Sequence, residues 1–477
     1  MTPKTLRFGA AALAAATAVA GVTLTLATTT DASAAPPKPR AAASTTKLFV
    51  APTGADTNAG TAAAPLRTPQ KAVDKLGAAG GTVELAAGTY AKQRIVLSGR
   101  SGVTVQAAPG AKVVLDATGL TPAADTTGVV DVRDSSDIVI QGLDVTGFRT
   151  KSRGRTPVGI FVGGSGSNIT VAGNHVHHLG NDNTTQEADD VNAHGIAVYG
   201  TNGAKPITNL TIRGNEVDHL VLGASESVVV NGNVDGWTID QNAVHDNNNI
   251  GIDAIGYEKT ATGGSTDADR ARNGRITGNT VTRITSIGNP AYAGGCDCAD
   301  GIYVDGGRDI VISGNRVDSA EIGIEVASEH KGGTTNGIRV ENNTVVRSAW
   351  VGLAVGGYSA TKGDAYDVTV TGNTFTGNNQ NDDGSPEILL QNMVHDSTFT
   401  ANRITATGGS PALVGRVKNA GAAAKTANVV FDRNDYGSPV AATQVAFSWN
   451  GSDVTGFSAW KTRSGQDAAS TYTVRSS

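Results

Sequence analysis

The stretch that decides the fold is GGCDCADGIYVDGGRDIVISGNRVDSAEIGIEVASEHKGG, residues 294–333. It carries Gly301-Ile302-Tyr303-Val304-Asp305 and, one unit later, Gly323-Ile324-Glu325-Val326-Ala327. Alternation along a strand sends Ile302, Val304, Ile324 and Val326 to one face and Tyr303, Asp305 and Glu325 to the other. Between them lies IVISGN, ending at Asn315, an apolar alternation closed by a turn and an asparagine.

That second pattern recurs through the chain. ITVAGN, LTIRGN, WTIDQN, RITGN, IVISGN, IRVENN, VTVTGN, STFTAN and VVFDRN end at Asn174, Asn215, Asn242, Asn279, Asn315, Asn343, Asn373, Asn402 and Asn434. The gaps are 41, 27, 37, 36, 28, 30, 29 and 32 residues, a unit near 28 that tolerates insertions. Such a period marks a solenoid, in which each coil buries its apolar edge only against its neighbours. Stacked asparagines form hydrogen-bonded ladders, so these residues are assigned to the fold. After each Asn turn comes a second strand: HGIAVYG from His194, SVVVNG from Ser227, GIDAIGY from Gly251, then the two quoted above, GLAVGGY from Gly352 and EILLQN from Glu387. The expected fold is all-β, one chain wound as a right-handed parallel β-helix. Insertions at 180–193, 258–272, 285–299 and 359–366 flank the second strand, and loops on one side of a solenoid usually build its binding face.

Lys4 and Arg7, an apolar run to Ala27 and Ala32-Ser33-Ala34 read as a secretory signal peptide over 1–34. A short linker over 35–45 follows, then the β-helix over 46–436 and a closing coil over 437–477. Thr68 and Pro69 begin a short helix with Ala72, Val73 and Leu76 on its buried side, placed to cap the N-terminal end. The protein is expected outside the cell, as a monomer, away from membranes. A net charge of −5 and no basic patch with interleaved aromatics argue against nucleic acid. Two cysteines make no disulfide framework, but Cys296 and Cys298 are placed to close a small loop disulfide in an oxidising compartment.

The segment from Leu48, FVAPTGADTNAG, with its helix and following strand, resembles the entry of secreted right-handed β-helix proteins of the pectate-lyase-like superfamily of lyases and glycosidases. The Phe457, Trp460 and Gly465-Gln466-Asp467 run resembles the tail of exported β-helix carbohydrate enzymes, though an edge cover is the favoured reading of its aromatics. CADGIYVD is similar to the Ca²⁺-binding acidic segment of one pectate lyase family. That family's outward basic residue is missing; Arg308 and Lys331 stand only in adjacent turns. The polygalacturonase motif set is absent too.

Aligned on the Gly-Ile start, the outward column reads Ala197, Val229, Asp253, Tyr303, Glu325, Ala354 and Leu389. Coils lie about 4.8 Å apart, so Asp253 and Glu325 stand roughly 10 Å apart and Asp305 about 7–8 Å from each on the diagonal. Crowded carboxyls cannot all ionise, and one is raised to a proton donor. Asp305 and Glu325 are expected as the acid/base pair, with Asp253 or Asp300 positioning water, sugar or metal. Tyr303, Tyr257, His194, Glu329, His330 and Lys331 are expected to contact substrate. The chemistry this favours is glycoside hydrolysis of a polysaccharide or oligosaccharide, which requires no cofactor. Ca²⁺-assisted elimination of a uronate polymer and a non-catalytic glycan-binding solenoid are the alternatives. An acid cluster also suits Ca²⁺ through oxygen ligands.

Overall fold

The computed structural model describes residues 46–475 apart from 187, 293, 410 and 419–426. The leader and linker read over 1–45 lie outside the described residues. Alternating apolar triplets build three long parallel sheets in which neighbours follow chain order. The first runs from Lys47–Val50 to Val429–Asp432, the second from Ile95–Ser98 to Ala446–Trp449, and the third from Gly88–Ala91 to Thr471–Val474. The chain is a right-handed parallel β-helix, the hand that parallel crossovers strongly favour.

Each full coil has three strands where the sequence pattern suggests two. The extra strand is a short piece after the ladder asparagine, such as His175–His177 or Arg316–Ala320. It carries few inward residues, Val176 in the first and Val317 with Ala320 in the second, too little alternation to stand out in sequence. Ile160, Ile196, Val228, Ile252, Ile302, Ile324, Leu353 and Ile388 stack inward along the second sheet with no exposure. Burying such a side chain is worth about 1.5–3 kcal/mol.

The asparagines form one continuous ladder. From Asn174 to Asn434 each Nδ2 donates to the next Oδ1 at 2.9–3.2 Å. Each Oδ1 also takes the backbone N–H of the preceding asparagine, as Asn315 takes that of Asn279 at 2.9 Å. At the far end Asn434 donates to Asp467.

Helix Pro69–Lys75 is started by Thr68, whose hydroxyl accepts from Lys71, and it lays Ala72 and Val73 on strands Lys47–Val50, Gly81–Leu85 and Ile95–Ser98. Parallel pairing continues past Tyr436, since Asp435–Ser438 pairs with Thr471–Val474. Helix Phe457–Ser464 buries Trp460 against Phe447, and the indole donates to Asp467 at 2.7 Å. These aromatics face the core, which fits an edge cover. No helix among the described residues is long and apolar enough to cross a membrane.

Candidate functional site

The register of the second sheet matches the outward column: Val229 pairs with Asp253, Asp253 with Tyr303, Tyr303 with Glu325, and Glu325 with Ala354. The acids are not on an open face, however. Asp253, Asp300, Asp305 and Glu325 are 2, 2, 6 and 9% exposed, because the insertions fold over the sheet. Between sheet and loops lies a cavity of about 370 Å³, with Asp253, Tyr303, Asp305 and Glu329 among its lining residues. Loop residues Asp189, Asn192, Tyr292 and Cys298 complete its lining.

The 285–299 insertion is fixed by one carboxylate. Glu321 accepts from Thr285 Oγ1, Ser286 N and Oγ, Cys298 N and Ala299 N, all at 2.6–2.8 Å. Cys296 and Cys298 are joined as a disulfide, and Cys298 lines the cavity.

Asp300 opens its strand, and the alternation breaks at Gly301. A Cβ there would stand 2.4 Å from Val317 Cγ1, and one at Gly323 would stand 2.2 Å from Val345 Cγ1. Only glycine lets this edge approach the third sheet. Gly301 and Ile302 therefore both face inward, and Asp300 turns outward to meet Glu325. The two carboxyls share a hydrogen bond, and burial raises both above the usual carboxylate range. Glu325 also accepts from Gln391 Nε2 at 3.0 Å. Burial, then the Glu329 charge, push Glu325 up to about 7. Asp300 and Glu325 thus form a pair beside the cavity, and neither is among its lining residues.

On the cavity floor, Asp305 Oδ1 accepts the Glu329 backbone N–H at 3.0 Å, and His330 Nδ1 stands 3.8 Å from Oδ2. Tyr303 donates to Glu329 at 3.2 Å. Asp253 Oδ1 is buried with no hydrogen-bond partner among the described residues. Burial raises Asp253 well above the usual carboxylate range, and the Glu226 and Glu258 charges add to it. Asp305 is raised by burial, then by Glu329 and Asp253.

Four of the expected substrate contacts, His330 among them, lie outside the cavity lining. His194 has no exposure; its ring sits between the Glu226 carbonyl at 3.0 Å and the Tyr199 hydroxyl at 2.8 Å. Burial lowers it to about 4, so it is neutral, and with both nitrogens engaged it positions Tyr199. Tyr257 bonds Thr334 and lies under Arg270, outside the cavity lining. Lys331 is exposed and not among the lining residues.

Sequence reading missed Glu226 and Glu258, both of which line the cavity. Glu226 precedes Ser227-Val228 as His194 precedes Gly195-Ile196 and Asp300 precedes Gly301-Ile302, and the register makes these one column. Reading one position upstream of each Gly-Ile start reveals it. Glu258 sits in an insertion and is tied to the sheet by Asn231 Nδ2 at 2.7 Å; no pattern marks it.

Buried, protonated carboxyls give a pH signature. Burial also pushes Glu387 up to about 8. The folded chain keeps on Glu325 and Glu387 protons that an unfolded chain releases near 4.5. This contribution to stability is full below that value and is lost as pH rises through about 7 and 8. Melting temperature is expected to fall from about pH 5 to about pH 8.5. Glu387→Gln, which keeps the shape and one of the two acceptor oxygens but cannot ionise, is expected to flatten the fall in thermal melts across that range.

No family model matches the chain. It is 38% identical over 362 residues to the uncharacterized protein YwoF of Bacillus subtilis, covering 75% of this chain and 74% of that protein. Among solved structures it is similar to the A-module of the mannuronan C-5 epimerase AlgE4 of Azotobacter vinelandii (TM-score 0.52, 17% identity, 85% of this chain and 94% of that one). It is also similar to the GH136 lacto-N-biosidase of Eubacterium ramulus (TM-score 0.55, 10% identity, 82% and 67%). These two likenesses are likenesses of fold. Identity at the level shared with the Bacillus protein, across three quarters of both chains, is relationship: the chain belongs to the YwoF family, whose fold is this parallel β-helix.

Proposed function

We propose that the protein is an extracellular, monomeric enzyme that hydrolyses glycosidic bonds of a neutral or amino-sugar polysaccharide or oligosaccharide in the cavity over the second sheet. The leader at 1–34 supports export. The observation that carries the chemistry is the lining: Asp253, Asp305, Glu226, Glu258 and Glu329 face one cavity with no Lys or Arg among the lining residues. Such a pocket repels a polyuronate and holds several carboxyls protonated. Asp253 has no donor on Oδ1, so it keeps its proton and serves as the acid that protonates the glycosidic oxygen. Asp305, whose Oδ1 accepts the Glu329 amide, takes the proton of the attacking water. Tyr303 and Tyr292 offer ring faces to the sugar. The epimerase and lacto-N-biosidase that share the fold act, by their names, on carbohydrates, which agrees with this reading.

The same lining favours one second reading. Asp253, with an orphaned carboxylate oxygen, lines the cavity together with Asp305 and Glu329, and oxygen donors of this kind are the ligands Ca²⁺ takes. Bound there, the ion would neutralise an acidic sugar and support elimination. A panel of neutral, amino and uronate glycans separates the two. New reducing ends on neutral or amino glycans, unaffected by chelator, are expected. Activity confined to uronates, yielding an ultraviolet-absorbing unsaturated product and lost with chelator, would establish the second reading instead. Binding without cleavage across the panel would make the protein a glycan-binding solenoid.

A further inference from the structure

Four of the eight histidines gather far from the cavity lining, on the outer face of the third sheet. His175 and His177 project from strand His175–His177 on either side of buried Val176. Asp144 lies one coil before, in register with His175, and Asp218 one coil after, in register with His177. The contacts cross diagonally: His177 Nε2 to Asp144 Oδ1 at 2.8 Å, and His175 Nε2 to Asp218 Oδ2 at 2.6 Å. The two rings stack with centroids 4.1 Å apart. At the following turn His178 and His219 stack in parallel at 4.9 Å, and His219 Nδ1 bonds Asp218 Oδ1.

One contact is not explained by pairing with acids. With Asp144 taking the Nε2–H of His177, the Nδ1 of that ring is left to accept, and it lies 2.7 Å from His178 Nδ1 and 3.4 Å from the Thr146 hydroxyl. A carboxylate on the far nitrogen, orienting the near one, is how proteins prepare imidazole for a metal. Asp144, His175 and His177 each present a donor atom within 4.8 Å of the other two, and so do His178, Asp218 and His219. Zinc–nitrogen bonds of about 2.0–2.1 Å need donors about 3.3 Å apart, within reach of small ring rotations. Ring nitrogens with carboxylate oxygens suit Zn²⁺ or Cu²⁺, whereas Ca²⁺ takes oxygen alone.

We propose that this patch binds a first-row transition-metal dication, Zn²⁺ or Cu²⁺, through these four histidines with Asp144 and Asp218. The ion would join three successive coils. The test is calorimetric titration of untagged, metal-stripped full-length protein with Zn²⁺, with Cu²⁺ electron paramagnetic resonance as the structural readout. The wild type is expected to bind Zn²⁺ in the presence of excess Ca²⁺, to melt at higher temperature with it, and to show nitrogen hyperfine coupling with Cu²⁺. His178→Asn with His219→Asn suits the left-handed turn positions at φ 53 and 52, so the fold is retained, and Zn²⁺ affinity is expected to fall at least about tenfold. Asp144→Asn is expected to cost about 10–100-fold. His395→Gln, on another part of the surface, and Asp305→Asn in the cavity are expected to leave Zn²⁺ binding unchanged. Equal affinity in wild type and the 178/219 double variant, or loss of binding in Asp305→Asn, would overturn the proposal. So would a melting temperature that saturating Zn²⁺ leaves unmoved.

Discussion

If the proposed hydrolysis holds, Asp253→Asn and Asp305→Asn are each expected to lower turnover on the cleaved glycan by about 10²–10⁴, the usual worth of a positioned acid or base. Both substitutions keep the shape of the side chain and remove its titrating proton. Neither should harm the fold, because each exchanges a buried carboxyl in a crowd of like charges for a neutral amide. Glu325→Gln is expected to behave differently. Its partners are Asp300 and Gln391 rather than the cavity, and an amide preserves most of that bonding, so turnover should fall less than about tenfold, below what direct proton transfer is worth. Reducing-end assays on the three purified variants, with circular dichroism to establish folding, check the ranking. Near-normal turnover in both Asp variants would move the chemistry away from this cavity. A collapse in Glu325→Gln alone would move it to the neighbouring pair.

The second large effect is on stability. Asn315→Leu replaces an amide by an apolar side chain of similar outline in the middle of the ladder. Asn315 gives Nδ2–H bonds to Asn343 Oδ1 and Ile276 O at 2.9 Å and accepts the Asn279 N–H and Nδ2–H at 2.9 and 3.0 Å. Leucine leaves the Asn279 amide groups and the Ile276 carbonyl buried without those partners. Each orphaned group costs about 1–3 kcal/mol, so a loss of about 3–5 kcal/mol is expected, read as a large drop in urea midpoint. Asn209→Gly is the control. It removes an amide–amide bond of 2.7 Å to Asn168 that is exposed, at a left-handed position (φ 50) that glycine keeps. Its cost is expected to stay within about 0.5 kcal/mol. Equal effects would mean that the buried ladder contributes no more than a surface contact.

The fold was legible because a solenoid writes the same physics into every coil. The recurrence of an apolar triplet, a turn and Asn needs no long-range information, and the Gly-Ile alignment placed Asp253, Tyr303 and Glu325 in their true column. What the sequence withheld depends on folding between coils. That Asp300 turns outward follows from the third sheet pressing on Gly301. That the acids are buried, and that Glu258 joins them, follows from loops whose path no period encodes. Glu226 escaped because it stands one position upstream of the aligned strand, before the alternation begins. The histidine patch escaped because Asp144, His175 and Asp218 are neighbours only once the coils stack.

Glu321 has a consequence for how such a protein diversifies. The wall it holds is attached through backbone amides and hydroxyls that converge on a single side chain of the next coil, and the spacing between ladder asparagines already ranges from 27 to 41 residues. A lineage can therefore exchange this insertion, in length and composition, provided the replacement presents donors to one carboxylate. The scaffold never has to be refolded to admit a new wall. Innovation in this architecture is cheap at the rim and expensive at the rungs, and ligand preference is expected to drift among descendants much faster than shape.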